Sequence, residues 1–145
     1  GVTLLYASMY GNTERMMEVV AQGIVDEKVP VQIFNVAKDS ISKILPALWI
    51  NRGIMIGAPT YEGKLFPDMT TVLNMAPQKH ISHKLTAGFG SYAWIGGGQR
   101  EVNDRLENLK WELVGNLEFK GAPKPSELTE GRKFGADFAR KILSK

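Results

Sequence analysis

An α/β fold is predicted: one domain over residues 1–145, a five-stranded parallel sheet in the order 2-1-3-4-5 with helices on both faces, a three-layer sandwich. Three observations predict it. Five apolar, β-rich runs alternate with segments whose apolar residues recur at helical spacing. The first and third runs, "VTLLYA" and "GIMIGAP", are apolar at almost every position, as strands buried on both faces are. The connections are short, and right-handed crossovers leave few topologies, of which 2-1-3-4-5 is common for five strands.

Val2–Ala7 reads as the first strand. From Asn12 to about Lys28 the residues Met16, Met17, Val20, Ile24 and Val25 mark an amphipathic helix. "VPVQIFNV" is the second strand, and Ser40 is a candidate N-cap for a helix using Ile41, Ile44, Leu45 and Leu48. "GIMIGAP" follows as the third strand, ended by Pro59. Pro67 suits a first helical turn, Asp68 suits its positive end, and Met69, Val72 and Leu73 form its apolar face. "KLTAGFGS" is the fourth strand, and Val102, Leu106 and Leu109 mark the helix after it. The fifth strand combines "WELVG" and "LEFKG", interrupted near Gly115–Asn116. Ser126 opens the last helix, with Phe134, Phe138 and Ile142 on one face.

Hydrophobic residues are 43% and charged residues 23% of the chain, an ordinary globular composition. No apolar run approaches the roughly 20 residues that cross a bilayer, and no signal peptide precedes the first strand, so no membrane association is expected. Cys is absent, which excludes disulfides and thiolate metal sites and fits a reducing cytoplasm. The net charge of +3 is scattered rather than gathered in a stripe with aromatics, and "GRKFGADFARK" reads as one charged helix face, so nucleic acid is not an expected partner. The start at Gly1, without Met and directly into a strand, predicts a processed, trimmed or excised chain.

In this topology ligands bind beyond the carboxyl ends of the strands, near the switch point between strands 1 and 3. The loop there is "SMYGNT", Ser8–Thr13, at a strand-to-helix junction. The helix N-terminus offers unpaired N–H groups and a positive dipole end. Ser8, Asn12 and Thr13 add polar side chains, and Gly11 lets the backbone close around a guest. The same residues also serve as ordinary helix caps. Read as a site, the loop is a phosphate cradle without a cation inside it. It has neither the Lys of a P-loop nor the three glycines of the dinucleotide fingerprint.

After strand 3, "APTYEGKLFP" has a fixed Pro-Thr exit and then Tyr61, either a flat face for a ligand or a cover for the core edge. After strand 4, "GSYAWIGGG" holds Tyr92 and Trp94 in a glycine-rich loop, where stacking on a flat ligand explains them better than packing does. Trp111 and Trp49 are read as structural.

The first loop resembles the phosphate loop of flavodoxins, and "SMYGNTERM" is most similar to the flavodoxin-like domain of flavodiiron proteins. The resemblance runs over essentially the whole chain and implies FMN as cofactor. Ser8, Tyr10, Asn12 and Thr13, with backbone N–H groups around Met9 and Gly11, would hold its phosphate. Pro59, Thr60 and Tyr61 would lie at the ring, and Ser91, Tyr92 and Trp94, with Gly97, against its other side. The chain departs from the family at Glu62, Gly63 and Lys64, where Asn-Asn-Gly is common, at Ala93, where Gly is frequent, and at Ile95, which replaces a small polar residue. Gly63 tolerates positive φ, so it is either an ordinary turn residue or one that lets the Glu62 carbonyl turn toward flavin N5 when N5 becomes protonated.

The functional expectation is an FMN-binding electron-transfer domain, passing electrons to redox partner proteins or to a covalently linked diiron domain absent from this chain. A net positive charge and the abrupt start favour a tethered domain over a free flavodoxin carrier, which is typically acidic. A flavin-dependent NAD(P)H oxidoreductase and a flavin-free interaction module are the rivals. No Ser/His/Asp or Cys/His set supplies catalysis apart from the flavin. His80 and His83 in "QKHISHK" read as a loop rather than a metal site. A phosphoacceptor receiver would need acidic residues after strands 1 and 3, where Ser-Met-Tyr and Ala-Pro-Thr stand.

Overall fold

The computed structural model describes residues 1–7, 11–57, 60–61, 64–65, 84–91, 112–119 and 123–144. In chain order these form β1 (Val2–Tyr6), α1 (Asn12–Asp26), β2 (Val31–Asn35), α2 (Ile41–Ile50), β3 (Gly53–Gly57), β4 (Thr60–Tyr61), β5 (Lys64–Leu65), β6 (Leu85–Ser91), β7 (Glu112–Phe119) and α3 (Pro125–Ser144). Five strands make one sheet in the order β2-β1-β3-β6-β7, every neighbouring pair parallel. That is the expected 2-1-3-4-5 order. β4 and β5 form a separate antiparallel hairpin that periodicity did not foresee, since each strand has only two residues. The helices expected around Pro67–Leu73 and Val102–Leu109, together with His80, His83 and Trp111, lie outside the described residues.

The central strands β1 and β3 are buried along their whole length. Alternate residues divide the sheet into two faces. Val2, Leu4, Tyr6, Met55, Leu85, Ala87 and Phe89 join Met16, Val20 and Ile24 of α1 and Phe138, Ala139 and Ile142 of α3 in one apolar cluster. The opposite face carries Thr3, Ile54 and Thr86, which are register neighbours. Here Thr3 donates to the Ala47 carbonyl of α2 at 2.9 Å and accepts from Asn51 Nδ2 at 2.9 Å.

Several local readings need correction. Ser40 stands at the N-cap of α2 but makes no capping bond, because its hydroxyl pairs with Ser42 Oγ at 2.7 Å. α3 starts at Pro125 rather than Ser126. Pro suits the first helical position, and Glu127 reaches back to the Lys124 N–H at 2.9 Å, one half of a capping box. The fifth strand runs unbroken, with its irregularity one residue earlier than expected. Thr86 pairs with Leu113 and Ala87 with Gly115, so Val114 is the extra residue of a bulge. Val25 is 50% exposed, and Trp49 is 61% exposed instead of packed. Leu48 takes the buried position at the end of α2, and the next residue, about 100° round the helix, faces away from the sheet.

Candidate functional site

β1 ends between two neighbours that hold it firmly. The Val36 N–H donates to the Tyr6 carbonyl and the Ala7 N–H donates to the Gly57 carbonyl, both at 2.9 Å. The second bond closes the switch point, where β1 and β3 finish side by side. Gly57 must lack a side chain there, because a Cβ would stand 2.2 Å from Cζ of the fully buried Phe89. The Phe89 ring thus packs directly against the end of β3.

Gly11 has φ +82°, the left-handed region that glycine enters cheaply, and α1 starts at the next residue. The first ladder bond runs from the Arg15 N–H to the Gly11 carbonyl at 3.1 Å. The N-cap residue is Gly11, which has no side chain to cap the helix, and N–H groups of a first helical turn are donors suited to an anion. Thr13 is buried at 2% exposure in this turn.

Tyr6 and Glu14 were not foreseen as partners. The Tyr6 hydroxyl lies 3.5 Å from Glu14 Oε1. Burial pushes that hydroxyl above its ordinary value of 10.0, and the Glu14 carboxylate adds to the push. A Tyr ending a buried strand needs a partner for its hydroxyl, and an acid in the next helical turn was the available signal.

The sheet order brings three of the expected segments to one edge. Gly11, Asn12 and Thr13 follow β1, Thr60 and Tyr61 follow β3 as β4, and Ser91 is the last residue of β6. β1, β3 and β6 are consecutive neighbours, so these segments share the carboxyl edge at the switch point. Ser8, Met9, Tyr10, Pro59, Glu62, Gly63, Tyr92, Trp94 and Gly97 lie outside the described residues. A helix N-terminus directly behind a left-handed glycine is a donor set that fits the phosphate ester of FMN.

The flavodoxin family model matches residues 4–135. The chain belongs to the flavodoxin family. FMN is the cofactor of that family. The chain is 34% identical over 141 residues to the anaerobic nitric oxide reductase flavorubredoxin of Aeromonas hydrophila, covering 96% of itself and 28% of that protein. It therefore spans less than a third of the length of the curated relatives it matches. Among solved structures, the Flv1 flavodiiron core from Synechocystis sp. PCC6803 superposes with TM-score 0.89 at 25% identity, over 99% of this chain and 36% of that one. An archaeal flavodoxin superposes with TM-score 0.85 at 24% identity over 98% of both chains, a likeness of fold. This flavodoxin-like domain is homologous to the flavodoxin part of the flavorubredoxins.

Proposed function

We propose that this chain holds one FMN non-covalently and acts as an electron-transfer domain, delivering electrons to a diiron domain elsewhere in a flavodiiron-type protein. The observation that carries the reading is the start of α1: a left-handed Gly11, no side-chain cap and a buried Thr13, all at the switch point. The first-turn N–H groups, with Ser8, Tyr10, Asn12 and Thr13, hold the phosphate. Pro59, Thr60 and Tyr61 flank one side of the ring, and Ser91, Tyr92 and Trp94 the other. Bound FMN supplies reversible one- and two-electron chemistry, while the protein orients the ring and keeps water from it. Gly63 leaves the Glu62 carbonyl free to turn and accept from N5. Gly63→Ala should then narrow the gap between the two one-electron potentials.

The linked acceptor is supported by the way nearly the whole chain maps onto less than a third of a flavorubredoxin. Reduction of O2 or NO belongs, on this reading, to that other domain. Among the described residues no group of three His, Cys, Asp or Glu side chains could hold a metal ion. None of the described helices is long and apolar enough to cross a membrane, and we place the domain in the cytoplasm. A free carrier is the second reading, supported by the end-to-end match to an archaeal flavodoxin.

The test is a visible absorption spectrum of purified protein, before and after FMN addition and desalting. One retained flavin per chain, released intact by heat, is expected; a colourless protein that ignores FMN defeats the proposal. Stopped-flow mixing with NADH and NADPH should leave the flavin oxidised, and rapid bleaching would instead make the chain an NAD(P)H oxidoreductase.

A further inference from the structure

We infer that the amino edge of the sheet, opposite the edge assigned to FMN, is a docking surface for the covalently linked domain, with Trp49, Ile50 and Leu143 as its apolar contacts. The inference rests on the linked-domain reading above. Among the described residues the exposed large apolar side chains are Val25, Ile33, Trp49, Ile50 and Leu143. All but Ile33 stand within the last two residues of a helix: Val25 in α1, Trp49 and Ile50 in α2, Leu143 in α3. Each of these helices leaves the carboxyl edge after a strand and runs back to the edge where the parallel strands begin. Contacts fix two of the ends there. Lys84 Nζ, just before β6, donates to the Trp49 carbonyl at 2.9 Å, and a Cβ on Gly53, the first residue of β3, would stand 2.7 Å from Cδ1 of Ile142. A helix C-terminus is the negative end of the dipole and favours basic residues, yet the last turns of α1 and α2 have none. Ile50 at 76% and Leu143 at 65% exposure offer water an apolar surface that the fold itself does not use.

Both ends of the described chain lie at this same edge. The Gly1 carbonyl accepts from the Gly53 N–H at 3.1 Å, and Ser144 ends α3 beside Leu143. A domain joined at either terminus therefore stands against it. The flavorubredoxin and flavodiiron relatives have the length for such a domain, since this chain covers 28% of the first and 36% of the second. A tether supplies its domain at an effective concentration on the order of 1 mM, so a contact with a dissociation constant of about 0.1 mM stays closed roughly nine-tenths of the time. Interfaces between domains of one chain are small and partly polar, which suits a few apolar side chains bordered by Asn51 and the Lys84 ammonium. Docking here leaves the carboxyl edge open, so that an electron acceptor can reach the flavin.

The experiment is hydroxyl-radical footprinting, read by mass spectrometry, of the complete gene product and of the 145-residue chain, both supplied with FMN. In the longer protein Trp49 should be oxidised roughly tenfold more slowly than in the shorter one, the factor that a contact closed nine-tenths of the time gives. Ile33, on β2 away from this edge, should react equally in both. W49S/I50S changes two side chains that are more than half exposed, so it should fold and melt as wild type does. In the longer protein that variant should let Leu143 react as fast as it does in the shorter chain. Equal oxidation of Trp49 in the two wild-type proteins overturns the inference and leaves the linked-domain reading standing. So does a Leu143 that stays protected in the variant. Protection of Trp49 in the shorter chain that grows with protein concentration also overturns it, because the surface then belongs to a second copy. If the gene encodes nothing beyond these residues, the linked-domain reading falls and this one with it. Bound flavin, measured by absorbance on the same samples, reports on the FMN reading separately.

Discussion

The two faces of the sheet are built by opposite means. On the face covered by α1 and α3, the helices approach until backbone meets backbone. A Cβ on Gly23 would stand 1.9 Å from the Arg132 carbonyl oxygen, and one on Gly135 would stand 2.1 Å from that of Val20. Exposed ion pairs, Asp26–Arg132 at 2.7 Å and Glu27–Arg140 at 2.5 Å, edge this contact. On the other face α2 carries Pro46 in its middle, which removes one helical hydrogen bond. Besides the buried Ile44, Ala47 and Leu48, it is held by separate polar ties: Thr3 to the Ala47 carbonyl, Asn51 to Thr3 and Gln32, and Lys84 to the Trp49 and Asn51 carbonyls. The lesson is one of tolerance. Close backbone packing admits no added atom, whereas polar ties fail singly. α1, whose start lies at the switch point, belongs to the intolerant side.

The largest break of this comparison is Gly135→Val. Both neighbours of the new side chain are backbone, so neither can swing aside, and the expected loss is roughly 3 kcal/mol or more. Thermal unfolding should register it as a fall of about 6–12 °C for a chain of this size. FMN retention should fall too as α1 shifts. An unchanged melting temperature would mean the helices are held by something other than this contact.

Two identical substitutions on the α2 face should have opposite signs. Thr3→Val removes a buried hydroxyl that both donates and accepts, leaving the Ala47 carbonyl with only the Asn51 N–H and the Asn51 amide with only Gln32. Urea titration should find about 1–2 kcal/mol of lost stability. Thr86 is equally buried on the same face, but its hydroxyl has no partner. Thr86→Val keeps the shape, removes the unsatisfied group, and should gain about 1 kcal/mol. Equal signs for the two variants would mean that strand propensity, not hydrogen bonding, governs this face.

The smallest effect is expected at the exposed ion pairs. Hydrogen bonds from Arg132, then from Gln22, hold the Asp26 carboxyl below its ordinary 3.8. Its folded value being the lower one, the contribution is complete above 3.8 and disappears as pH falls through the folded value. Asp26→Asn should therefore flatten only the acid end of a stability-versus-pH curve. A difference persisting unchanged into strong acid would assign the effect to packing.

The strand order, the helices α1 and α3 and the edge bearing Gly11, Thr13, Tyr61 and Ser91 were legible because burial imposes periodicity and a buried parallel strand shows as an unbroken apolar run. The first loop was singled out for another reason: few residue types serve a helix start that can face an anion, and of that loop the described residues show the left-handed Gly11 and the start of α1 behind it. Other features depend on contacts between residues far apart in the chain. Nothing local in Lys84 marks it as the partner of α2, and burial pulls its ammonium below the ordinary value only once the fold exists. The four-residue pairing of β4 with β5 is too short for a period-2 pattern. Trp49 misled because apolar size was read as burial, although its position beside Leu48 decides the matter.

The bulge at Val114 bears on how copies of the molecule avoid one another. Among the described residues β7 borders the sheet, and a straight border strand offers its free N–H and C=O groups to any passing chain. The bulge breaks the even spacing that a docking strand would have to match. The Val114 carbonyl is also already taken, by Lys141 Nζ of α3 at 2.8 Å. An incoming strand would meet an irregular rail with one acceptor withdrawn and an ammonium beside it. The same residue that bulges the fifth strand therefore makes this border a poor template for another strand.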